Sequence, residues 1–279
     1  MKASAAGSVH QKKALLRDSL KRHGRILLGF SGGKDSFFLL RQATLALGEA
    51  NVSAYFVNTP FIGEGARARV AYFREKFPFP LHEIDIDLLR DDRMRQNPRQ
   101  RCYLCKQRLF GALKKEARRQ GIGTVADGST VSDLLEHRPG RRALEKLGVV
   151  SPLKDAGFTG AEIIGELKKL GVEDYFLTSS TCLATRFPYD HALDPGRIAA
   201  IGQVENYLAG RGVYPLRVRY IADGVRVEAG EGHMGRVLEI KGDLLEFCRS
   251  RGFKFVTLDL GGLKSGSWDD LPALPRPAI

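Results

Sequence analysis

The stretch 26–40, ILLGFSGGKDSFFLL, constrains this chain more than any other. Ile26, Leu27, Leu28 and Phe30 make a short apolar run of strand type, and Phe37 to Leu40 resume apolar content of helical length, so 31–36 is expected to turn between them. Gly32 and Gly33 allow positive φ and close approach of backbone N–H groups to an anion, while the helix that follows aims its positive dipole end at the same point. Ser31 and Ser36 add hydroxyl donors, Lys34 can neutralise phosphate charge, and Asp35 can hold Mg²⁺ or orient a nucleotide. Phosphate is the expected guest.

Two Gly-rich alternatives fail on spacing. A Walker A loop needs Gly, four spacers and then Gly-Lys-Ser/Thr, and no G-x-G-x-x-G occurs in this turn. The pattern S-G-G-x-D-S resembles the PP-loop of the ATP pyrophosphatases, which cut ATP between the α and β phosphates and adenylate a substrate. The plain alternative is an ordinary Gly-rich strand-to-helix turn.

At 279 residues and 43% hydrophobic content, the chain can bury one large or two modest cores. No apolar run reaches membrane-spanning length, and the N-terminus lacks a compact apolar segment followed by a small-residue cleavage site, so a cytoplasmic location without membrane attachment is expected. Lys plus Arg number 44 against 32 for Asp plus Glu, a formal charge of +12 that favours anionic partners such as ATP, a nucleotide substrate or RNA.

The apolar pattern predicts an entry helix over 10–23, strands over 52–58, 81–87 and 124–127, and helices over 66–76 and 159–170, the last with a capping box from Thr159 and Glu162. Strands separated by helices give an α/β fold with a doubly wound parallel sheet, in which the ligand sits beyond the carboxyl ends of the strands, where Ser31, Asn58 and Asp127 should converge. From Asp194 the expected order is helix to 208, strand 216–220, turn 222–224, strand 225–229, helix 234–250 and strand 253–258, a smaller C-terminal α+β domain. The expected domains are 10–188 and 189–270, with an irregular tail.

Four cysteines are present, at 102, 105, 182 and 248. A C-x-x-C pair in a cytosolic protein indicates metal binding or redox chemistry before a structural disulfide. Cys102 and Cys105 follow five arginines within 90–101 and are expected just before a helix beginning near Tyr103, where guanidinium groups and a helix N-terminus favour thiolate. A solvated basic face with incidental cysteines is the alternative. Cys182, in the hydroxyl-rich stretch 177–188 with Arg186 four residues on, can be ligand, nucleophile or sulfur donor. Cys248 fits a buried hydrophobe. Arg138 offers a bidentate fork to phosphate or carboxylate, and His137 beside it fits a surface residue. The alternation over 216–220 puts Arg217 and Arg219 on one strand face, as an anion clamp or as a solvated edge.

Together the loop at 31–36, RCYLCK at 101–106, DGS at 127–129, RPG at 138–140, ALEKLGVVSPL at 143–153, TCLATRFPY at 181–189, RVRY at 217–220 and FVTLDLGGLKSGS at 255–267 resemble the LarE family, over about 15–268. Its members are ATP-dependent sulfur transferases that make the pincer nucleotide of nickel-containing lactate racemase. The resemblance implies a PP-loop ATP pyrophosphatase fold, ATP and Mg²⁺, adenylation of a carboxylate of a pyridinium dicarboxylate mononucleotide, and displacement of AMP by sulfur. By motif match Ser31, Gly33, Asp35 and Ser36 take the nucleotide roles, and Gly32, Lys34, Asp127, Arg138 and Arg186 are further binding candidates. The resemblance places Arg217 and Arg219 at the substrate phosphate and makes Glu205 an acidic site residue. Asp35, Glu205 and Cys182 are the catalytic candidates.

Family members with a lone cysteine matching Cys182 sacrifice its sulfur, whereas those with three hold a 4Fe-4S cluster. Cys102, Cys105 and Cys182 imply the cluster type, with Zn²⁺ as the alternative. A homo-oligomer is implied by resemblance, and the sulfur donor is left open. Lys34 stands where the family usually carries a small apolar residue and resembles related tRNA thiolation enzymes, and Lys264 stands where arginine is usual. Thiolation of tRNA or another nucleotide is therefore the alternative enzyme reading, ahead of a PP-loop amidotransferase or synthetase, and a non-catalytic nucleotide-binding protein is the alternative outside enzymes.

Overall fold

Ser8 caps the first helix of the computed structural model, which describes residues 7–134, 140–177 and 182–264. In chain order the elements are α1 (Val9–His23), β1 (Ile26–Phe30), α2 (Lys34–Leu47), β2 (Val52–Asn58), α3 (Glu64–Lys76), β3 (Leu81–Asp85), α4 (Asp92–Arg95), α5 (Arg101–Arg119), β4 (Thr124–Ala126), α6 (Gly140–Leu147), α7 (Pro152–Asp155) and α8 (Gly160–Lys169). There follow α9 (Asp174–Leu177), α10 (Pro195–Ala209), β5 (Leu216–Ile221), β6 (Gly224–Ala229), α11 (Met234–Glu239), α12 (Lys241–Ser250) and β7 (Val256–Leu258). Contacts divide the chain into two compact units, one of 1–59, 65–88 and 100–180, the other of 60–64, 89–99 and 181–279.

The first unit is built on a four-stranded parallel sheet in the order β3-β2-β1-β4, so the direction of winding reverses beside β1. β1 is apolar along its length because helices cover both faces of the sheet. On one face Phe37 of α2 stacks on Phe73 of α3 at 4.0 Å, and Phe38 meets Phe158 edge-on at 5.3 Å. On the other, Phe110 and Leu113 of α5 pack with Leu27, Tyr55, Val125 and Leu144. Gly29 lets α5 come close, since a Cβ there would meet Phe110 at 3.1 Å and Leu113 at 3.2 Å.

The entry helix forms as expected, with Ser8 and Gln11 in a reciprocal capping box and Leu16 and Leu20 buried one turn apart. The predicted capping box of Thr159 and Glu162 is present at α8, and the same Glu162 accepts from Lys12 of α1 at 2.7 Å. β3 ends at Asp85, short of the expected residue 87, because Ile86 makes the last ladder bond, to the Asn58 carbonyl.

The second unit carries a three-stranded sheet in the order β5-β6-β7, with β5 and β6 antiparallel and β6 and β7 parallel. α10 packs on β5 and on α12, where Tyr207 stacks on Phe247 at 4.2 Å. The 60–64 and 89–99 segments are tied in by backbone bonds, Leu183 N–H to the Phe61 carbonyl at 3.0 Å and Leu193 N–H to the Arg95 carbonyl at 2.7 Å. Fully buried Asn97 donates to the carbonyls of Phe187 and Pro188.

Two expectations are corrected here. The helix predicted over 234–250 is two helices, α11 and α12, which meet at Ile240, where a β-branched residue and Gly242 give weak helix propensity. The strand predicted over 253–258 begins only at Val256, because the amides of Phe253 and Lys254 donate instead to Cys248 and Asp223 carbonyls.

Candidate active site

The loop after β1 is shorter than the sequence pattern implies. Helix α2 starts at Lys34, so only 31–33 turns, and Asp35 and Ser36 occupy the first helical turn. The Ser36 hydroxyl donates to the Gly33 carbonyl at 2.9 Å and the Phe37 amide bonds the same oxygen at 3.0 Å, which pulls these residues into the helix. Ser31 closes the loop from the other side, its Oγ 3.1 Å from Ser36 Oγ and accepting from the Gly33 amide at 3.3 Å.

Gly32 has φ of 74° and lies under Val70 and the Ala66 carbonyl, which a Cβ would approach to 2.8 and 2.9 Å. Lys34 Nζ pairs with Asp35 Oδ2 at 2.8 Å, so charge is offset within the first turn of α2. A short glycine loop opening onto a helix N-terminus at the winding reversal of a parallel sheet is an arrangement that suits an anionic ligand.

Asp127, expected at the nucleotide, turns its carboxylate inward: Ser151 donates to Oδ1 at 2.6 Å, Ser129 donates to Oδ2, and Lys106 Nζ stands 3.5 Å from Oδ2. Gly128 lies against the first turn of α2, where a Cβ would meet the Ser36 nitrogen at 2.8 Å.

Cys102 and Cys105 lie inside α5, not before it, because Gln100 supplies the carbonyl that starts the helix and accepts from Tyr103 and Leu104. One turn apart, they share a face, with Cys102 exposed and Cys105 half-buried. Three of the five arginines that precede them have local partners: Arg93 on Asp91, Arg95 on the Leu89 carbonyl, and Arg99 over the Tyr189 ring.

In the second unit, exposed Cys182 precedes a single 3-10 turn, Leu183–Arg186. Thr185 is its hub. The Thr185 hydroxyl donates to the Cys182 carbonyl at 2.7 Å and accepts from Arg186 Nη1 at 2.9 Å, while its carbonyl accepts from Arg219 Nη1 at 2.7 Å. Arg186 is held by Glu205, and Glu205 also accepts from the Val218 amide at 2.9 Å.

The hairpin decides the arginine face of β5. Arg219 is 2% exposed and Glu228 is 0% exposed, so this face is no solvated edge. Arg219 donates to both oxygens of Glu228 at 3.1 Å, and Arg226 reaches the same carboxylate at 3.0 Å. Burial lowers the Arg219 guanidinium to about 10, with Arg186 and Arg217 pushing the same way against Glu228. Half-buried Arg217 donates to the Lys264 carbonyl at 2.9 Å and, among the described residues, makes no ion pair. Its guanidinium is also lowered, by burial first and by Arg186 second. An anion here would relieve both.

Of the sequence candidates, Ser31 to Ser36 come together with Asp127 in one unit, and Cys182, Arg186, Glu205, Arg217 and Arg219 come together in the other. Cys102 and Cys105 belong to the first unit. Among the described residues, no three His, Cys, Asp or Glu side chains are gathered as a metal-ligand set. Arg138 and His137 lie outside the described residues. Thr185 and Glu228 were not singled out by sequence. Counting back across the 222–224 turn puts Glu228 opposite Arg217, a signal that was available, whereas nothing marked Thr185 beyond its place three residues after Cys182.

No family model matches the chain. It is 31% identical over 259 residues, 93% of its length and 94% of the relative's, to pyridinium-3,5-bisthiocarboxylic acid mononucleotide synthase of Lactiplantibacillus plantarum. It is 27% identical over 90% of its length to an uncharacterized protein of Methanocaldococcus jannaschii, 96% of which is covered, and 29% identical over 90% to an uncharacterized protein of Synechocystis, 94% covered.

Proposed function

The chain belongs to the LarE family, and from that membership we propose that it is an ATP-dependent sulfur transferase acting on a pyridinium dicarboxylate mononucleotide for a nickel-pincer nucleotide. In this reading a substrate carboxylate oxygen attacks the α-phosphorus of ATP, pyrophosphate leaves, and sulfur then displaces AMP from the acyl adenylate to give a thiocarboxylate. A carboxylate oxygen is a poor leaving group, and adenylation supplies a good one.

The Ser31–Gly33 loop and the N-terminus of α2 bind the phosphates and stabilise pyrophosphate as its charge develops, with Asp35 as the residue that would hold Mg²⁺. Arg217 takes the substrate phosphate beside Arg219 and Arg186. Glu205 and Glu228 hold those guanidinium groups in orientation, and Thr185 fixes the backbone of Cys182 against them.

The family resemblance also implies a 4Fe-4S cluster, for which Cys102, Cys105 and Cys182 would be the ligands. Once bound, it would supply sulfide for transfer.

The observation that carries the proposal is the Thr185 hub. It joins a cysteine to an arginine group in which Arg217 has a backbone partner and no acidic one among the described residues, which supports a sulfur-bearing residue next to an anion site.

The test is incubation of protein purified without oxygen with ATP, Mg²⁺ and pyridinium-3,5-dicarboxylate mononucleotide. AMP, pyrophosphate and a substrate mass with oxygen replaced by sulfur support the proposal. Pyrophosphate release that needs tRNA and ignores the pyridinium compound overturns it in favour of tRNA thiolation. About four irons with matching sulfide per chain supports the cluster, and zinc overturns that part.

A further inference from the structure

Lys106 directly follows Cys105 on α5, and its ammonium stands 3.5 Å from Oδ2 of Asp127, a carboxylate 4% exposed at the end of β4. Ser151 and Ser129 donate to the two oxygens of the same carboxylate, so Asp127 is held firmly enough to act as an anchor. The α6 N-terminus closes over the cysteine turn: a Cβ on Gly140 would meet Lys106 Cδ at 3.0 Å and the Cys102 carbonyl at 3.3 Å. The residue after Asp127 faces the other way. Gly128 lies on the Ser36 nitrogen and Cα, which a Cβ would approach to 2.8 and 2.9 Å, and on the Asp35 carbonyl carbon at 3.2 Å.

Two consecutive residues therefore touch the first turn of α2, directly after the phosphate loop, on one side and the cysteine turn on the other. We propose that Asp127 is a positioning residue that couples nucleotide occupancy of the 31–36 loop to the state of Cys102 and Cys105, with Lys106 as the other half of the coupling. The proposal rests on the nucleotide reading of the loop. A ligand that shifts α2 presses on the Gly128 backbone, which lies close against Ser36 and Asp35, and Asp127 carries that shift to Lys106. Coupling of this kind is reciprocal in binding free energy, so a change at the thiols must in turn change nucleotide affinity, although an alkylation rate need not move by the same factor.

The test uses the full chain without added iron or zinc and the non-cleavable analogue α,β-methylene-ATP with Mg²⁺. Rates of iodoacetamide modification at Cys102 and Cys105 are read by peptide mass with and without the analogue, and analogue affinity is read by calorimetry before and after modification. In the wild type a change of about 5-fold or more is expected in both. Lys106→Met should bind the analogue while losing the coupling, and Lys106→Arg should restore it. Wild-type binding that leaves the thiol rates unchanged overturns the proposal, as does coupling that survives Lys106→Met. Absence of analogue binding in the wild type overturns the nucleotide reading along with it, and so is told apart.

Discussion

Glu205 accepts from both Nε and Nη2 of Arg186, at 2.7 and 3.1 Å, and thereby fixes a guanidinium whose side chain is 5% exposed. Removing the carboxylate takes both of these acceptors away from a buried cation. Glu205→Ala should destabilise the protein by about 3–5 kcal/mol, and Glu205→Gln by less because one acceptor remains. Urea unfolding measures both, and an unchanged midpoint for Glu205→Ala would show that Arg186 does not depend on this partner.

Arg217 should behave differently, since it donates to a backbone carbonyl and its removal strands no described carboxylate. Arg217→Ala is expected to weaken binding of the phosphate-bearing substrate by about 10–100-fold, the range of a charge-assisted hydrogen bond, while leaving the unfolding midpoint nearly unmoved. Calorimetric titration reads the affinity. Equal affinity in the variant would remove Arg217 from the site.

The phosphate loop is tested by a single methyl group. Gly32→Ala puts a Cβ at 2.8 Å from Val70 Cγ2 at a φ of 74°, so strain of about 1–3 kcal/mol and loss of nucleotide binding are expected. Gly48→Ala is the control. Its φ is also positive, at 81°, but nothing lies within 4 Å of the added atom, so stability should fall modestly and nucleotide binding should persist.

Acid sensitivity should centre on the contact of α1 with α8. Hydrogen bonds from Lys13 and Lys169 hold the Glu166 carboxyl below its ordinary value of 4.5, outweighing burial. A depressed carboxylate stabilises the fold above that value and loses its contribution as pH falls below it. Glu166→Gln should therefore lower stability at pH 7 and show a smaller further loss between pH 5 and 3 than the wild type. Denaturation midpoints at those values check it, and parallel curves would exclude Glu166 as the source.

The four thiols should separate by reactivity. Burial pushes the Cys248 thiol up to about 11, so it remains protonated and shielded at pH 8, whereas Cys102 and Cys182 are exposed. Brief alkylation of the folded, metal-free protein should mark Cys102 and Cys182 and spare Cys248 until denaturant is added. Early labelling of Cys248 would contradict the packing around α12.

Much of the first unit was legible because local rules and global fold agree there. The apolar run of β1, the capping boxes at Ser8 and Thr159, and Gly32 at positive φ all follow from nearest-neighbour chemistry. What sequence pattern misjudged involves partners distant along the chain. Gly224 reads as a turn residue, yet the turn is Ala222 and Asp223, both at positive φ, and Gly224 is required because a Cβ would strike the Phe255 ring at 2.6 Å. Periodicity put Arg217 and Arg219 on one face correctly but could not weigh clamp against edge, because the answer depends on Glu228 across the hairpin. Asp127 was legible as a carboxylate at a strand end, while its inward set of Ser129, Ser151 and Lys106 required the fold.

The second unit is assembled from three separate stretches of chain, and this sets an order of events during synthesis. Asn97 must wait for carbonyls 90 and 91 residues later, at Phe187 and Pro188, and the Phe61 carbonyl must wait for Leu183. A gene fragment opening at residue 181 would encode the whole β5-β6-β7 sheet and still lack both of these partners. On the ribosome, the arginine group of β5 therefore acquires its final surroundings only after most of the polypeptide has emerged, and premature termination before residue 181 leaves the two early stretches with no unit to join.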